Sequence, residues 1–200
     1  MTTPYVRALI ARPPQAIVIG ASAGAVDALK QLLPAIPREI PAPILIVVHV
    51  PPDRRSGLPA LFAAGSTLAM TEAEDKAVPL AGHVYFAPPD YHLLLEHDGT
   101  LALSVDEPIH YSRPSIDVLF DSAADACGAR VLGILLSGAS ADGAEGLARI
   151  RADGGHAWVQ SPESAQVPAM PRAALQLAPH VTMHPGQMGS TIAAWVNNRA

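Results

Sequence analysis

Apolar residues along this chain come in short runs separated by polar, glycine and proline breaks, and two periodicities alternate. "AIVIG", "PILIVVHV" and "VLGILLSG" are continuous apolar runs, the pattern of strands buried on both faces of a parallel sheet. Between them lie stretches with three- and four-residue spacing. "GAVDALKQLLPAI" places Val26, Leu29, Leu32, Leu33 and Ile36 on one helix face, and "SRPSIDVLFDSAADACG" does the same for Ile116, Leu119, Phe120 and Ala123, with Gly128 as the stop signal. "AEGLARIRADGG" reads as a helix closed by glycines, "SGLPALFAAG" as a short helix, "HAWVQ" as a short strand, and "PRAALQLA" and "GSTIAAWVNN" as the last helices. "HVYFAPPDYHLLLEHDGTLALSV" breaks into short strands, including a hairpin across Asp98-Gly99.

Strands alternating with helices predict an α/β fold: an open, mostly parallel sheet with helices on both faces, plus a β-hairpin insertion. Residues 1–14, ending at Pro13-Pro14, carry too little periodicity for a domain and read as an N-terminal arm; residues 15–200 read as one domain.

Composition narrows the function classes. With 50% hydrophobic and 16% charged residues the chain is a compact globular protein. A net charge of -5 without any Lys/Arg run argues against a nucleic-acid partner. No targeting segment and no apolar stretch of bilayer length is present, so the expectation is no membrane insertion and a cytoplasmic location. Cys127 is the only cysteine and reads as a small buried apolar residue on a helix. Eight histidines occur, but no H-E-x-x-H, and His180 and His184 have no carboxylate between them, so neither a metal nor another cofactor is expected.

Three polar residues stand just after the runs that read as parallel strands: Ser22, His49 and Asp142. In open α/β sheets, chemistry collects outside the carboxyl ends of the strands, so residues distant in sequence meet on one rim. Their types are those of a nucleophile, a general base and an orienting carboxylate. "GASAG", residues 20–24, matches G-x-S-x-G, a strand-to-helix turn that exposes a serine. Taken alone, the turn is also compatible with phosphate binding or a purely structural role, although G-x-G-x-x-G would need glycine at position 22 and a P-loop would need a Lys-Ser/Thr pair.

"IVIGASAGAVDALKQLLPAIP", "ILIVVHVPPDRRSGLPALF", "AGHVYFAPPDYHLLL", "SRPSIDVLFDSAA", "GILLSGASADGAEGL" and "AQVPAMPRAAL" resemble, in order, segments of the chemotaxis methylesterase CheB family, over roughly residues 15 to 196. The family's triad order is serine, histidine, aspartate, and this chain has that order. The resemblance implies hydrolysis of glutamate γ-methyl esters on chemoreceptor signalling helices with release of methanol, and deamidation of receptor glutamines as a related activity. It implies Ser22 as nucleophile, His49 as base and Asp142 as its orienting partner. The N–H of Ala23 and one from the Ala139-Ser140 loop are the expected oxyanion donors.

Departures from the family pattern are local. Ser137-Gly138-Ala139-Ser140 stands where Thr-Gly-Met-Gly is usual, Ala169-Met170-Pro171 where Gly-Met-Pro is usual, and Gly24-Ala25 where two glycines are common. Ser140 would cost backbone freedom if its site needs positive φ. Met170 is expected at the substrate wall. Arg113 is expected either to hold a substrate carboxylate or to begin a helix, and Arg54 and Arg55 either to face an acidic receptor helix or to sit in a solvated loop. Regulated family members carry an N-terminal receiver domain, for which fourteen residues are too few, so the expected switch lies in another chain, such as a separate regulatory or chemosensory protein, or in expression. Three other readings stay open: a serine esterase or amidase on another substrate, a catalytically weak receptor-binding adaptor, and a nucleotide-binding α/β domain.

Overall fold

The structure is a computed structural model that describes residues 3–50, 57–178 and 180–198. Its strands are β1 (Ala16–Ala21), β2 (Ile44–Val48), β3 (Ala69–Glu72), β4 (His83–Phe86), β5 (His92–Leu95), β6 (Leu101–Ser104), β7 (Val131–Leu135), β8 (His156–Gln160) and β9 (Val181–Met183). Seven of them form one sheet, in the order β3-β4-β2-β1-β7-β8-β9, and every neighbouring pair is parallel. β5 and β6 form the separate antiparallel hairpin across Asp98-Gly99. The α/β architecture with its hairpin insertion is as the periodicity predicts.

Because successive side chains of a strand point to opposite faces, the central strands feed two cores. Ile17, Ile19 and Ala21 of β1 and Ile44, Ile46 and Val48 of β2 join one core, with α1 (Pro4–Ala11), α2 (Ala25–Leu32), α3 (Leu58–Ala63) and α7 (Pro185–Asn197) over that face. Ala16, Val18, Leu45 and Val47 join the other, covered by α4 (Ile116–Cys127), α5 (Ala144–Ala152), α6 (Ala169–Leu177) and the hairpin. The predicted face of α4 is confirmed: Ile116, Leu119, Phe120 and Ala123 are all fully buried.

Several elements differ from the periodicity, among them strand β3, which it does not predict. Helix α2 stops at Leu32 and passes into a 3-10 turn, Leu33–Ala35, and its buried stripe is Ala25, Ala28, Leu29 and Leu32. Val26 sits at the border of that stripe and is 37% exposed. Strand β9 is only three residues long, too short to show a period of its own. The N-terminal arm is a helix rather than a loose lead-in. Thr3 Oγ1 accepts from the Val6 N–H, Pro4 occupies the first turn where its missing N–H costs nothing, and Val6 and Leu9 are buried in the core shared with α7.

Since Leu9 is completely buried, Leu9→Ala should remove about 2–5 kcal/mol of unfolding free energy, read from the urea midpoint. A loss below about 0.5 kcal/mol would mean that the arm does not dock in solution.

Candidate active site

The strands that follow β1, namely β2, β3 and β4, lie on one side of it, and β7, β8 and β9 lie on the other, so β1 and β7 flank the topological switch point. Crevices at such points open beyond the carboxyl ends of the strands. Ser22 follows β1, His49 follows β2, and Asp142 lies in the loop after β7. The register Ala21↔Val48, continued by the His49 N–H donating to the Ala21 carbonyl at 3.2 Å, puts Ser22 and His49 at neighbouring positions of adjacent strands.

Two similar strand-turn-helix corners hold this rim. After β1 the chain turns through Gly24 (φ 85) into α2; after β7 it turns through Gly143 (φ 89) into α5. Both glycines occupy the left-handed region that other residues avoid, and a Cβ on Gly143 would lie 2.5 Å from Ile116 Cγ2. The glycine at position 20 serves a different need. It lies within β1, and a Cβ there would meet Ile116 Cγ2 at 2.2 Å, so it lets the first turn of α4 approach the strand. Positive φ in the G-x-S-x-G turn falls on Gly24; Ser22 itself is unstrained.

Asp142 is the most constrained polar group of the rim. It is completely buried, and its two oxygens accept four hydrogen bonds from two other segments. Oδ1 accepts from the Ser115 hydroxyl (2.8 Å) and the Asp117 N–H (3.0 Å); Oδ2 accepts from the Ile116 N–H (2.7 Å) and from His49 Nε2 (2.8 Å). The carboxylate thus caps the N-terminus of α4 and orients the imidazole together. Burial pushes its pKa up, but the bonds from His49, Ile116, Asp117 and Ser115 outweigh that and hold it below the usual carboxylate range. An ionised acceptor places the proton on Nε2 and leaves Nδ1 of His49 as the basic nitrogen.

Ser22 and His49 both line an open cleft of about 340 Å³, with Val26, Asp27, Leu58 and Gln166 among its other walls. No direct hydrogen bond joins Ser22 to His49; such contacts commonly tighten only when substrate is bound. The Ser22 turn is pinned from below. Its own N–H donates to the Ser137 carbonyl (2.9 Å), the Ser137 hydroxyl donates to the Ala23 carbonyl (2.7 Å), and the Ser137 N–H donates to Gln160 Oε1 (2.8 Å). The N–H groups of Ala23, Ala139 and Ser140 find no acceptor among the described residues, which leaves them free to meet an oxyanion. Ser140 does not adopt positive φ, so serine in place of glycine there carries no backbone strain.

Two of the expected contact residues have other tasks. Met170 does not wall the cleft: it is fully buried, and its thioether packs under Gly138, where a Cβ would come within 2.4 Å of the Met170 methyl. It supports the Ser137-Gly138 loop, aided by the Met170 N–H donating to the Gly138 carbonyl (3.0 Å). Arg113 does line a second groove beside His49, with Asp90, Tyr111 and Pro114. Its guanidinium, however, is committed to Asp90 Oδ1 (2.7 and 3.0 Å) and to the carbonyls of Val105 and Asp106 (2.8 and 3.0 Å). Arg54 and Arg55 lie outside the described residues.

Sequence reasoning passed over Ser115, Asp117, Ser137 and Gln160. The one available signal was a Ser-x-Asp pair opening a helix, "PSID", since such residues collect at helix N-termini. Asp117 is a second buried carboxylate beside Asp142. Burial and the charge of Asp142 push it up to about 6, opposed by the N–H of Gly146 on its Oδ1 (2.8 Å).

These two carboxylates give stability opposite pH slopes. The contribution of Asp142, whose folded pKa is depressed, is complete above the unfolded value of about 3.9 and is lost as pH falls through the lower folded value. That of Asp117, whose folded pKa is raised to about 6, is complete below about 3.9 and is lost as pH rises through 6. Asp142→Asn, which turns an amide NH₂ toward donors, should therefore cost about 2–4 kcal/mol near neutral pH. Asp117→Asn should be most favourable to stability above pH 6. Urea unfolding at pH 5 and pH 8 checks both, and equal effects at the two pH values for Asp117→Asn would contradict the assignment.

Comparison with known proteins shows the family. A match to the family described as CheB methylesterase covers residues 17–192. A Leptospira interrogans protein provisionally described as a protein-glutamate methylesterase/protein-glutamine glutaminase is 42% identical over 162 residues, 81% of this chain and 84% of that protein. The protein-glutamate methylesterase FrzG of Myxococcus xanthus is 36% identical over 187 residues, 92% of this chain and 56% of that protein. The crystal structure of the Thermotoga maritima CheB methylesterase catalytic domain superposes with a TM-score of 0.84 at 29% identity, covering 90% of this chain and 97% of that one. With a family match over most of its length and the same fold, the chain belongs to the CheB methylesterase family.

Proposed function

We propose that the chain hydrolyses glutamate γ-methyl esters on the cytoplasmic helices of chemoreceptors, with Ser22, His49 and Asp142 as its catalytic residues, and that it also deamidates receptor glutamines. The observation that carries this reading is the His49–Asp142 hydrogen bond at 2.8 Å, held at the strand position next to Ser22. Family membership and relatives named for both activities support it.

His49 Nδ1 takes the proton of Ser22 as Oγ attacks the ester carbonyl. The carbonyl oxygen becomes an oxyanion, met by the N–H of Ala23 and one from Ala139 or Ser140. Asp142 stabilises the imidazolium and keeps the ring oriented. When the tetrahedral intermediate collapses, the bond to the methoxy oxygen breaks, His49 returns its proton, and methanol leaves. Water, activated by the same imidazole, then attacks the Ser22 ester, so that Ser22 regains its proton and the glutamate side chain is released. With a glutamine substrate the leaving group is ammonia, and the remaining steps are the same.

The cleft is open and shallow, as a site acting on a side chain displayed along a helix requires, whereas small-ligand pockets enclose most of the ligand. No described helix is long and apolar enough to cross a membrane, and the proposed setting is the cytoplasm, where the receptor helices lie.

Methanol release from a methylated receptor cytoplasmic fragment should fall by about 10⁴-fold or more in Ser22→Ala, with the unfolding midpoint unchanged. Equal release by wild type and variant would remove Ser22 from the mechanism. Binding of the fragment with no release by the folded wild type would favour the adaptor reading.

A further inference from the structure

Asp117 holds more charge than its structural task needs. It is the second residue of α4; its N–H donates to Asp142 Oδ1, and its own Oδ1 accepts the Gly146 N–H from the first turn of α5. The side chain therefore joins the two helix ends between which Asp142 is held. One acceptor atom suffices for that, and an asparagine would supply it. The second oxygen, Oδ2, is buried without a hydrogen bond, in a side chain only 9% exposed. Leaving an unpartnered carboxylate oxygen next to another buried carboxylate is unfavourable for folding alone, and a residue kept in spite of such a cost is a candidate for function.

The titratable side chain that approaches Oδ2 is His110, with Nε2 at 3.6 Å, beyond hydrogen-bond distance but close enough for an ion pair when the ring is protonated. It is carried by a two-residue hairpin, Ile109 to Ser112, closed by bonds in both directions between those residues. Both central residues have positive φ, His110 at 49 and Tyr111 at 61, and neither is glycine. Turns of this kind favour Asn-Gly or Asp-Gly, so His110-Tyr111 is a strained choice. Tyr111 is fully exposed and lines the groove that also contains His49.

The remaining surroundings of Asp117 are accounted for. From α5 come the N–H groups of Gly146 and Gly143, and Glu145 of that helix lines the same small recess as His110. Asp121, one turn along α4, faces Arg149. His92, at the start of β5, accepts from the Ser115 N–H through Nδ1 and contacts the Glu107 carbonyl through Nε2.

We propose that Asp117 and His110 are positioning residues of the hydrolase: the charge on Asp117, governed by His110, acts through Asp142 on His49 and so sets the pH range in which Ser22 is activated. An ionised Asp117 places a second negative charge behind Asp142 and strengthens the hold of His49 on its proton. A protonated Asp117 leaves Asp142 to act alone. Protonated His110 favours the ionised form, so the rim hairpin, part of the groove wall, is coupled to the buried acid.

The proposal rests on the hydrolase reading, and two measurements on the full chain keep the two apart. The first is the pH profile of kcat/KM for methanol release, scaled to each variant's own plateau. Asp117→Asn should move the acidic limb down by about 0.5–1 pH unit, His110→Asn should move it the same way by less, and the double variant should coincide with Asp117→Asn. A limb unmoved in Asp117→Asn, or shifts that add in the double variant, overturns the proposal; a purely structural role would change the plateau and leave the limb in place. The second is a carboxyl carbon NMR titration, assigned by the signal lost in Asp117→Asn, which needs no substrate. The wild-type signal should titrate near 6 and move to higher pH in His110→Asn. An Asp117 signal in the ordinary carboxylate range, or one indifferent to His110, refutes the coupling. Absence of methanol release by wild type alongside the expected titration would refute the substrate reading alone.

Discussion

A carboxylate buried without solvent has to be satisfied by protein donors, and in this structure that single requirement organises the rim. Asp142 takes its four hydrogen bonds from the β2 end and from the first turn of α4. An unpaired buried charge would cost several kcal/mol, so these segments are held together as strongly as the charge needs them. The same bonds fix the ring of His49. One carboxylate is therefore both the cap of α4 and the partner of the imidazole.

The sheet order supplies the place. Reversal of winding between β1 and β7 brings the loops after β1, β2 and β7 to one edge of the sheet, where the two glycine turns start α2 and α5 and the cleft opens beside the ends of β1 and β2. Glycine 20 and Gly143 both face Ile116, so the first turn of α4 wedges between the two corners and delivers the N–H groups that Asp142 requires. Ser137 and Gln160 hold the serine turn from the other side, and Met170 fills the space under Gly138. The rim is thus a set of close backbone approaches, possible only where side chains are absent or face away.

Two of the departures from the family pattern leave the backbone of the rim unstrained. The 139–140 loop is exposed or half-exposed and contributes backbone N–H groups, which are unaffected by replacing methionine with alanine or glycine with serine when φ is not positive. Relatives such as the Myxococcus xanthus FrzG protein are longer than this chain.

Sequence alone determined the elements whose signals are local. Buried strands appear as unbroken apolar runs because both faces of a parallel sheet are covered, helices appear through their spacing, and glycines mark the turns. Together with the α/β rule that chemistry gathers at strand ends, this made Ser22, His49 and Asp142 legible as candidates. The partners of those residues were not. Ser115 and Asp117 were passed over, Met170 read as a wall rather than a support, and Arg113 carried no mark of its bonds to Asp90 and two carbonyls. Val26 and the N-terminal arm show the same limit, since which side of a helix is buried at its ends depends on what packs there. A hydrogen-bond partner supplied across many residues of chain leaves no periodicity to detect. It exists only once strand register and helix packing have set the distance, and the tertiary structure alone decides that.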